Sequence, residues 1–347
     1  MKLGLIIYSS LNTLSGGYLY DRKLVEYLRA QGDSVEIFSL PWRNYAAHLA
    51  DNFRFRLPRN LDLLIQDELN HPSLITANAG RHPYPIVSLV HHLRCSELRP
   101  RWQNNFYRAV EKKYLRGVDG FVFNSGTTQR VVNGLMDHGK PSIVAFPPTD
   151  RFGEAISEEE IKTRANKRPL KILFLGNLIE RKGLHTLLES VKGLKSKVVV
   201  DVIGSLTSDS AYARAMQSKA KSLQSPVSFH GALDNKPLAE KLRQAHILVV
   251  PSSYEGFGIV YLEGMGFGLP AIGTTAGAAG EIIEEQQTGF LIAPNDSMAL
   301  ARLLALLDQD RELLARLSIN AVRRYRLQPA WQATAGRIRV FLQKMTS

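Results

Sequence analysis

Residues 171–191 read KILFLGNLIERKGLHTLLESV. Lys171–Leu175 is a short apolar run of the kind that forms a parallel strand covered on both faces. Gly176–Lys182 reads as the loop after it, and Gly183–Val191 as the following helix. The pattern then repeats. Lys197–Ile203 (KVVVDVI) is a second strand ending at Gly204-Ser205, and Val227–His230, Ile247–Val250 and Ala271–Gly273 read as three more. Strands alternating with helices predict a parallel-sheet α/β domain.

The same unit opens the chain. Leu3–Tyr8 (LGLIIY) is an apolar strand, followed by a loop with Ser15, Gly16 and Gly17. Tyr20–Ala30 has helical spacing, with Leu24, Val25 and Leu28 on one side, and Gln31-Gly32-Asp33 stops it before the strand Ser34–Leu40. Leu61–Gln66, Pro85–Val90, Gly120–Asn124 and Ser142–Ala145 are further short strands. Residues 151–168 are charged and poor in large apolar groups, which suits a linker carrying a short helix. After Pro329, Trp331–Met345 is an amphipathic helix. The expected division is 1–160, 168–326 and a terminal helix at 329–347.

A chain of 347 residues accommodates two domains at roughly 150 residues each. Hydrophobic residues make up 44% and charged residues 22%, an ordinary globular balance. The single cysteine, Cys95, has no partner for an internal disulfide, which fits a reducing compartment. The opening MKLGLIIYSS is too short for a signal-peptide core, and no stretch approaches the ~20 apolar residues of a membrane span. The expectation is a cytoplasmic protein. The formal charge of +12 attracts phosphate in any form. It is concentrated in 41–116, where arginines and lysines are interleaved with Trp42, Phe53, Phe55, Trp102 and Phe106. That mixture is compatible with peripheral contact at the inner face of an anionic membrane, and also with an ordinary helical face. No helix-turn-helix or paired-aromatic reader is present, so a nucleic-acid partner is not expected.

In open α/β sheets ligands bind beyond the carboxyl ends of the strands, so the loops there decide the chemistry. Gly16-Gly17 lets a backbone approach a ligand closely. In Asn177–Gly183 (NLIERKG), Arg181 and Lys182 lie at a helix N-terminus and suit a diphosphate whose charge grows as it departs. Pro251–Pro270 (PSSYEGFGIVYLEGMGFGLP) carries Glu255 in a loop and Glu263 about two turns into a helix that starts near Phe257. A carboxylate accepts two hydrogen bonds from a vicinal diol, which makes Glu263 a candidate for a ribose. The amides of Gly256, Phe257, Gly258 and Ile259 crowd the helix start. His91-His92 follows the strand and suits a substrate hydroxyl or acid–base work. Adjacent residues of an extended chain face opposite ways, and no third ligand is evident, so a metal site is not expected. Asp308-Gln309-Asp310, the nearest metal-like pattern, reads as solvated surface.

Taken together these residues resemble the retaining glycosyltransferases of family four, the glycosyl transferases of group 1. LGNLIERKGLHTLLESV carries the likeness, followed by HGALDNKPLAEKLRQAHILVVPSSYEGFGIVYLEGMGFGLPAIGTTAGAAGEIIEEQQTGFLIAPND. The likeness covers nearly the whole chain and is most specific in the E-x7-E element. It implies a GT-B fold, two Rossmann-like domains facing across a cleft, with residues 1–160 on the acceptor side and 168–326 binding the donor. The terminal helix would pack back on the first domain. It implies sugar transfer from a nucleotide-diphosphate sugar with retention of anomeric configuration and neither metal nor cofactor. The acceptor stays open between a glycan, a glycolipid and a small molecule. Glu263 would hold the donor ribose. Glu255, Gly256, Phe257, Gly258 and Ile259 would address the donor sugar and diphosphate, Lys182 the diphosphate, and Gly204 and the backbone near Ala232 the nucleotide side. Gly16 and Gly17 would admit the diphosphate, and His91 would meet the transferred sugar, with His92 as its competitor for that role. Asn177 stands where the family often has arginine, and Arg181 would replace the missing charge. The competing readings are a catalytically silent nucleotide-sugar module, a binder of anionic polymers or membranes, and a GT-B epimerase or phosphorylase.

Overall fold

The computed structural model describes residues 1–347 apart from 14, 138, 149, 154, 195, 197 and 347. The chain divides into two compact units, Met1–Pro148 with Pro329–Ser347, and Thr149–Gln328.

The first unit runs β1 (Lys2–Tyr8), α1 (Gly16–Ala30), β2 (Ser34–Leu40), α2 (Tyr45–Asp51), β3 (Leu63–Asp67), α3 (His71–Leu74), β4 (Ile86–Val90), α4 (Arg101–Arg116), β5 (Gly120–Phe123), α5 (Gly126–Leu135) and β6 (Ser142–Val144). Its strands form a parallel six-stranded sheet in the order β2-β1-β3-β4-β5-β6. The two-residue period of a strand sends alternate side chains to opposite faces. Leu3, Leu5, Ile7, Leu63, Ile65, Val87 and Leu89 therefore share one core with Leu24 and Leu28 of α1. Ile6, Leu64, Ile86, Val90, Phe121 and Phe123 form the other, with Tyr114 and Leu115 of α4.

The second unit runs α6 (Glu158–Ala165), β7 (Lys171–Leu175), α7 (Leu184–Lys192), β8 (Val199–Ile203), α8 (Ser210–Lys221), β9 (Val227–Gly231), α9 (Asn235–Gln244), β10 (Ile247–Val249), α10 (Ile259–Gly266), β11 (Ala271–Thr274), β12 (Gly289–Ile292), α11 (Ser297–Gln309) and α12 (Arg311–Arg326). Its six parallel strands are ordered β12-β11-β10-β7-β8-β9. The last helix, α13 (Trp331–Thr346), belongs to the first unit. Its Ala335, Ile338 and Leu342 enter the core against α1, β3 and β6, and its Arg339 Nε donates to Asp33 Oδ2 at 2.6 Å. Among the described residues no helix is long and apolar enough to cross a membrane.

Four sequence readings are corrected. Gly16 and Gly17 are the first residues of α1 and not loop, because Ser15 caps the helix by accepting from the Tyr18 amide at 3.3 Å. Glu263 lies one turn into α10 and not two, because the helix starts at Ile259 after a left-handed Gly258. Asp308 is not solvated surface: it is buried, and its Oδ1 accepts from Arg311 at 2.6 Å and Arg168 at 3.2 Å. Asp310 caps α12 by accepting from the Leu313 amide at 2.8 Å. Of the strand read as Lys197–Ile203, Lys197 lies outside the described residues and Val199–Ile203 is β8.

Candidate functional site

A doubly wound sheet opens a crevice where its strand order reverses, since the connections on either side leave in opposite directions. The first sheet reverses between β1 and β3, the second between β7 and β10. Buried charge gathers close to both reversals: Asp67 and Glu68 at the end of β3, and Glu255 in the loop after β10.

In the second unit, Lys182 ends a short turn, Glu180–Lys182, after β7, and Glu255 lies in the loop after β10. Lys182 Nζ donates to Glu255 Oε2 at 2.7 Å, and Ser252 Oγ donates to the same oxygen at 3.1 Å. Burial alone pushes the Glu255 carboxyl up, but Lys182 and Arg181 outweigh it and hold it below the usual glutamate value. Burial lowers the Lys182 ammonium, with Glu255 pulling the other way. The Glu255 backbone is clamped on both sides. Its amide donates to Ala276 O at 3.3 Å, and its carbonyl accepts from the Ala278 amide at 2.7 Å. Only glycine fits at 277, where φ is +83° and a Cβ would lie 2.1 Å from Glu255 O.

From Glu255 the chain passes through Gly256, buried Phe257 and Gly258 into α10. This helix is buried nearly all round, so Glu263 is a carboxylate inside apolar surroundings. Burial raises its pKa, while Arg151 pulls it down. Arg151 Nη1 donates to Glu263 Oε1 at 2.6 Å, and the same guanidinium donates to Asn235 Oδ1 through Nε at 3.1 Å and Nη2 at 2.9 Å. Glu255 and Glu263 thus have separate partners. Arg181 Nη1 donates to Tyr254 O at 2.8 Å, which secures the loop carrying Glu255. Asn177 Oδ1 accepts from the Ser205 amide at 3.3 Å and joins the loops after β7 and β8. Gly204 is a close approach of those strand ends, for a Cβ there would lie 1.9 Å from Gly176 O. Ala232 is exposed directly after β9.

In the first unit, His91 follows β4 and its Nε2 lies 2.9 Å from Oδ1 of Asp21, a fully buried residue of α1. Gly17 makes room for the ring: a Cβ would lie 3.2 Å from His91 Cδ2. The Tyr20 ring stands edge-on to it at 5.4 Å. Asp67 and Glu68, at the end of β3, complete the cluster. Burial lowers the imidazole, but Asp21, then Asp67 and Glu68, overcome it and raise His91 to about 9. Burial and then Asp21 push Asp67 up to about 7. Burial and Asp67 push Glu68 well above its usual value. Asp21 Oδ2 has no hydrogen-bond partner among the described residues. His92 faces elsewhere, its Nε2 3.0 Å from Glu97 Oε1.

Asp21, Asp67 and His91 each offer a ligand atom within 4.8 Å of the others, a group of one histidine and two aspartates that His92 does not join. Glu68, His71 and Glu111 form a second such group, in which Glu111 and His71 have hydrogen-bond partners while Glu68 Oε1, 3.0 Å from His71 Nδ1, has none among the described residues. Glu111 accepts from the amides of Arg94 and Cys95, and His71 Nε2 lies 2.9 Å from the Tyr45 hydroxyl. The first group is able to hold a cation, or to stand as an acid–base cluster around an imidazolium. Sequence reasoning missed Asp21, Asp67, Glu68, Ser252, Asn235 and Arg151. Only Asp21 left a signal: it lies three residues before Leu24 and seven before Leu28, a carboxylate on an apolar helical face.

A family model for glycosyl transferases group 1 matches residues 156–324. Over 382 aligned positions the chain is 32% identical to the phosphatidyl-myo-inositol mannosyltransferase of Mycobacterium leprae, covering 100% of this chain and 98% of that one. It is 27% identical to the D-rhamnosyltransferase WbpZ of Pseudomonas aeruginosa over 70% of its own length and 67% of that protein's. Its fold matches sucrose-phosphate synthase from Thermosynechococcus elongatus with a TM-score of 0.82 at 19% identity, over 99% and 98% of the two chains. Anabaena HepE, solved with UDP-glucose, matches with a TM-score of 0.77 at 17% identity, over 99% and 100%. The chain belongs to the group 1 glycosyltransferases, and its fold is GT-B.

Proposed function

We propose that this group 1 glycosyltransferase moves a sugar from a nucleoside-diphosphate sugar to a hydroxylated acceptor, with retention and without a metal ion. The observation that carries the reading is the buried Lys182–Glu255 pair at the switch point of the second sheet. In the reaction the bond from the anomeric carbon to the diphosphate oxygen breaks. A bond to the acceptor oxygen forms on the same face of the sugar, and the acceptor proton passes to the departing diphosphate. Negative charge grows on that diphosphate, and Lys182, with Arg181 behind it, is the cation placed to meet it. Glu255 holds Lys182 and accepts from the donor sugar's hydroxyls. The amides of Gly256, Phe257, Gly258 and Ile259 are the donors at the start of α10. Glu263 takes the ribose diol in place of the Arg151 guanidinium, which moves to the phosphates. Asn177, Gly204 and Ala232 line the nucleotide side. In the first unit, His91 as imidazolium donates to the transferred sugar, and Gly16 and Gly17 leave room for the diphosphate. With cations in these places no divalent ion is required. The buried free thiol of Cys95 fits a reducing, cytoplasmic setting. HepE, whose fold this chain shares, was solved with UDP-glucose, which supports a nucleotide-sugar donor. The name of the M. leprae relative supports a lipid-linked acceptor over a free glycan or small molecule. The alternative is a non-catalytic nucleotide-sugar module of the same fold.

The test is thermal unfolding against UDP, GDP, ADP, CMP and their sugar conjugates, for wild type and Glu263→Ala. A ligand bound only by the folded state at about 100 times its Kd stabilises by about 2.7 kcal/mol, or roughly 5 °C and more for a unit of this size. One diphosphate should give that rise in the wild type and not in Glu263→Ala. No rise with any nucleotide at millimolar concentration sinks the donor site. An Arg181→Ala protein that binds donor like the wild type removes Arg181 from the reading. Transfer lost in EDTA and restored by Mn2+ overturns the metal-free part.

A further inference from the structure

The Trp and Phe residues exposed among the described residues all fall in one stretch of the first unit. Trp42 is 62% exposed, Phe53 82%, Trp102 71% and Phe106 47%. Two of them meet the same helix: the Trp42 ring lies 6.0 Å from His48 of α2, and Tyr45 of that helix lies 6.0 Å from Phe106 of α4. On α4, Trp102 and Phe106 are one turn apart and form an apolar stripe facing outward. Arg101, Asn105 and Arg108 form a polar stripe beside it, all exposed. Arg54, Arg56 and Arg59 are also exposed, and no ion pair joins any of these arginines to an acid among the described residues. In 41–60 and 94–116 no described Asp or Glu is exposed: Asp51 pairs with Arg43, Glu97 with Arg99, and Glu111 is buried.

Single exposed rings are ordinary, but exposed aromatics grouped together and rimmed by polar residues mark an interaction surface. Indole rings settle at the depth of lipid headgroups, and arginines beside them reach anionic phosphates while their stems lie along acyl chains. We infer that this face, carried by α2, the 53–59 segment and the N-terminal half of α4, docks the enzyme on an anionic bilayer. The C-terminal half of α4 is outside it, because Arg116 and Lys112 are already paired with Asp137. Charge complementarity selects the occupant: a second copy of this chain would bring the same arginines against one another. The inference goes beyond the transfer reaction and does not need it.

Sedimentation with vesicles of phosphatidylcholine, with and without about one third phosphatidylglycerol, at about 0.05 M and 0.5 M salt, tests it. The wild type should sediment with the anionic vesicles at low salt and not with the neutral ones. Trp102→Ser with Phe106→Ser should lower the partition coefficient at least tenfold. Arg54→Glu with Arg56→Glu should do the same, at about fivefold or more per site. Arg214→Glu with Lys221→Glu, an equal charge change on exposed α8, should stay within about threefold of wild type. Circular dichroism of each variant confirms that these surface changes leave the fold intact. Absence of binding to anionic vesicles at low salt overturns the inference. So does an α8 variant that loses as much as the arginine pair, which reduces the effect to net charge. A dimer in sedimentation velocity that the Trp102/Phe106 variant abolishes hands the face to a second copy. Nucleotide binding is measured separately, so failure of the donor reading leaves this result standing.

Discussion

At the reversal of the first sheet, three buried carboxylates, Asp21, Asp67 and Glu68, surround one imidazole. In the second unit each buried carboxylate faces a cation of its own: Glu255 has Lys182, and Glu263 has Arg151. Surplus acid in the first cluster drives protons on, so that His91 is held as a cation and Asp67 and Glu68 are pushed toward their neutral forms. Matched charge in the second keeps Glu255 ionised. The difference sorts the ligands. Acid-rich surroundings suit hydroxyls and a protonated donor to them, whereas lysine and arginine beside acceptors suit phosphates with an attached ribose. Two sheets built on the same winding rule thus present different chemistry at equivalent places.

The contrast is open to attack. His91→Ala removes the imidazolium from the first cluster and should lower kcat by about 10²–10³, the usual loss for one preorganised donor. Single-turnover kinetics check it, and near-normal turnover would give the role to His92 or to none. Lys182→Met strands Glu255 as an unpaired buried charge and should destabilise the second unit by about 3 kcal/mol. Adding Glu255→Gln should restore most of that stability without restoring transfer. Chemical denaturation of both variants measures the cycle, and additive losses would mean the pair is not coupled.

In the first cluster, removing a charge should have the opposite sign. The folded-state value of Asp67, about 7, lies above its ordinary 3.8, so its neutral form favours folding at low pH. That stability is lost as pH rises through about 7. At pH 8, Asp67→Asn should therefore stabilise the first unit, by about 1–2 kcal/mol. A destabilised variant would show that Asp67 needs its charge.

The smallest effect concerns one proton. His91 should titrate near 9 in the wild type and contribute stability below 6.5 that disappears as pH rises through about 9. Asp21→Asn removes the largest attraction, leaving burial, Asp67, Glu68 and the neighbouring Tyr20. The midpoint should fall by about two units, and the alkaline limb of the pH–rate profile with it. Histidine ring shifts followed by NMR report it directly, and an unmoved midpoint would exclude Asp21 as the group that positions the charge.

Local pattern made much of this architecture legible. Lys171–Leu175 is β7 to the residue, since an apolar run ended by glycine has few other uses. Glu255 and Lys182 stand out in the loops after two strands, in the E-x7-E element and the basic NLIERKG loop, and the structure bonds them to each other. Long-range pairing left no trace in the sequence. Asp21 and His91 are 70 residues apart, Arg151 and Glu263 112, and no periodicity links such partners. Asp308 misled because a polar triplet at a helix end resembles surface, whereas Arg311 and Arg168 make its burial tolerable. Gly289–Ile292 forms β12, although the sequence shows it only as part of the TGFLIAPND motif.

Helix α13 has a consequence for the order in which the protein is made. The first unit is discontinuous in sequence, with the whole of Thr149–Gln328 inserted before its closing helix. As the chain leaves the ribosome, the second unit has every residue it needs while the first still lacks Ala335, Ile338 and Leu342 against α1, β3 and β6. Until α13 emerges, that core is covered by α1 alone and part of it stays exposed and sticky. A message cut short near residue 328 would yield a sound second unit attached to an incomplete first one, and the first would be the half that chaperones and proteases recognise.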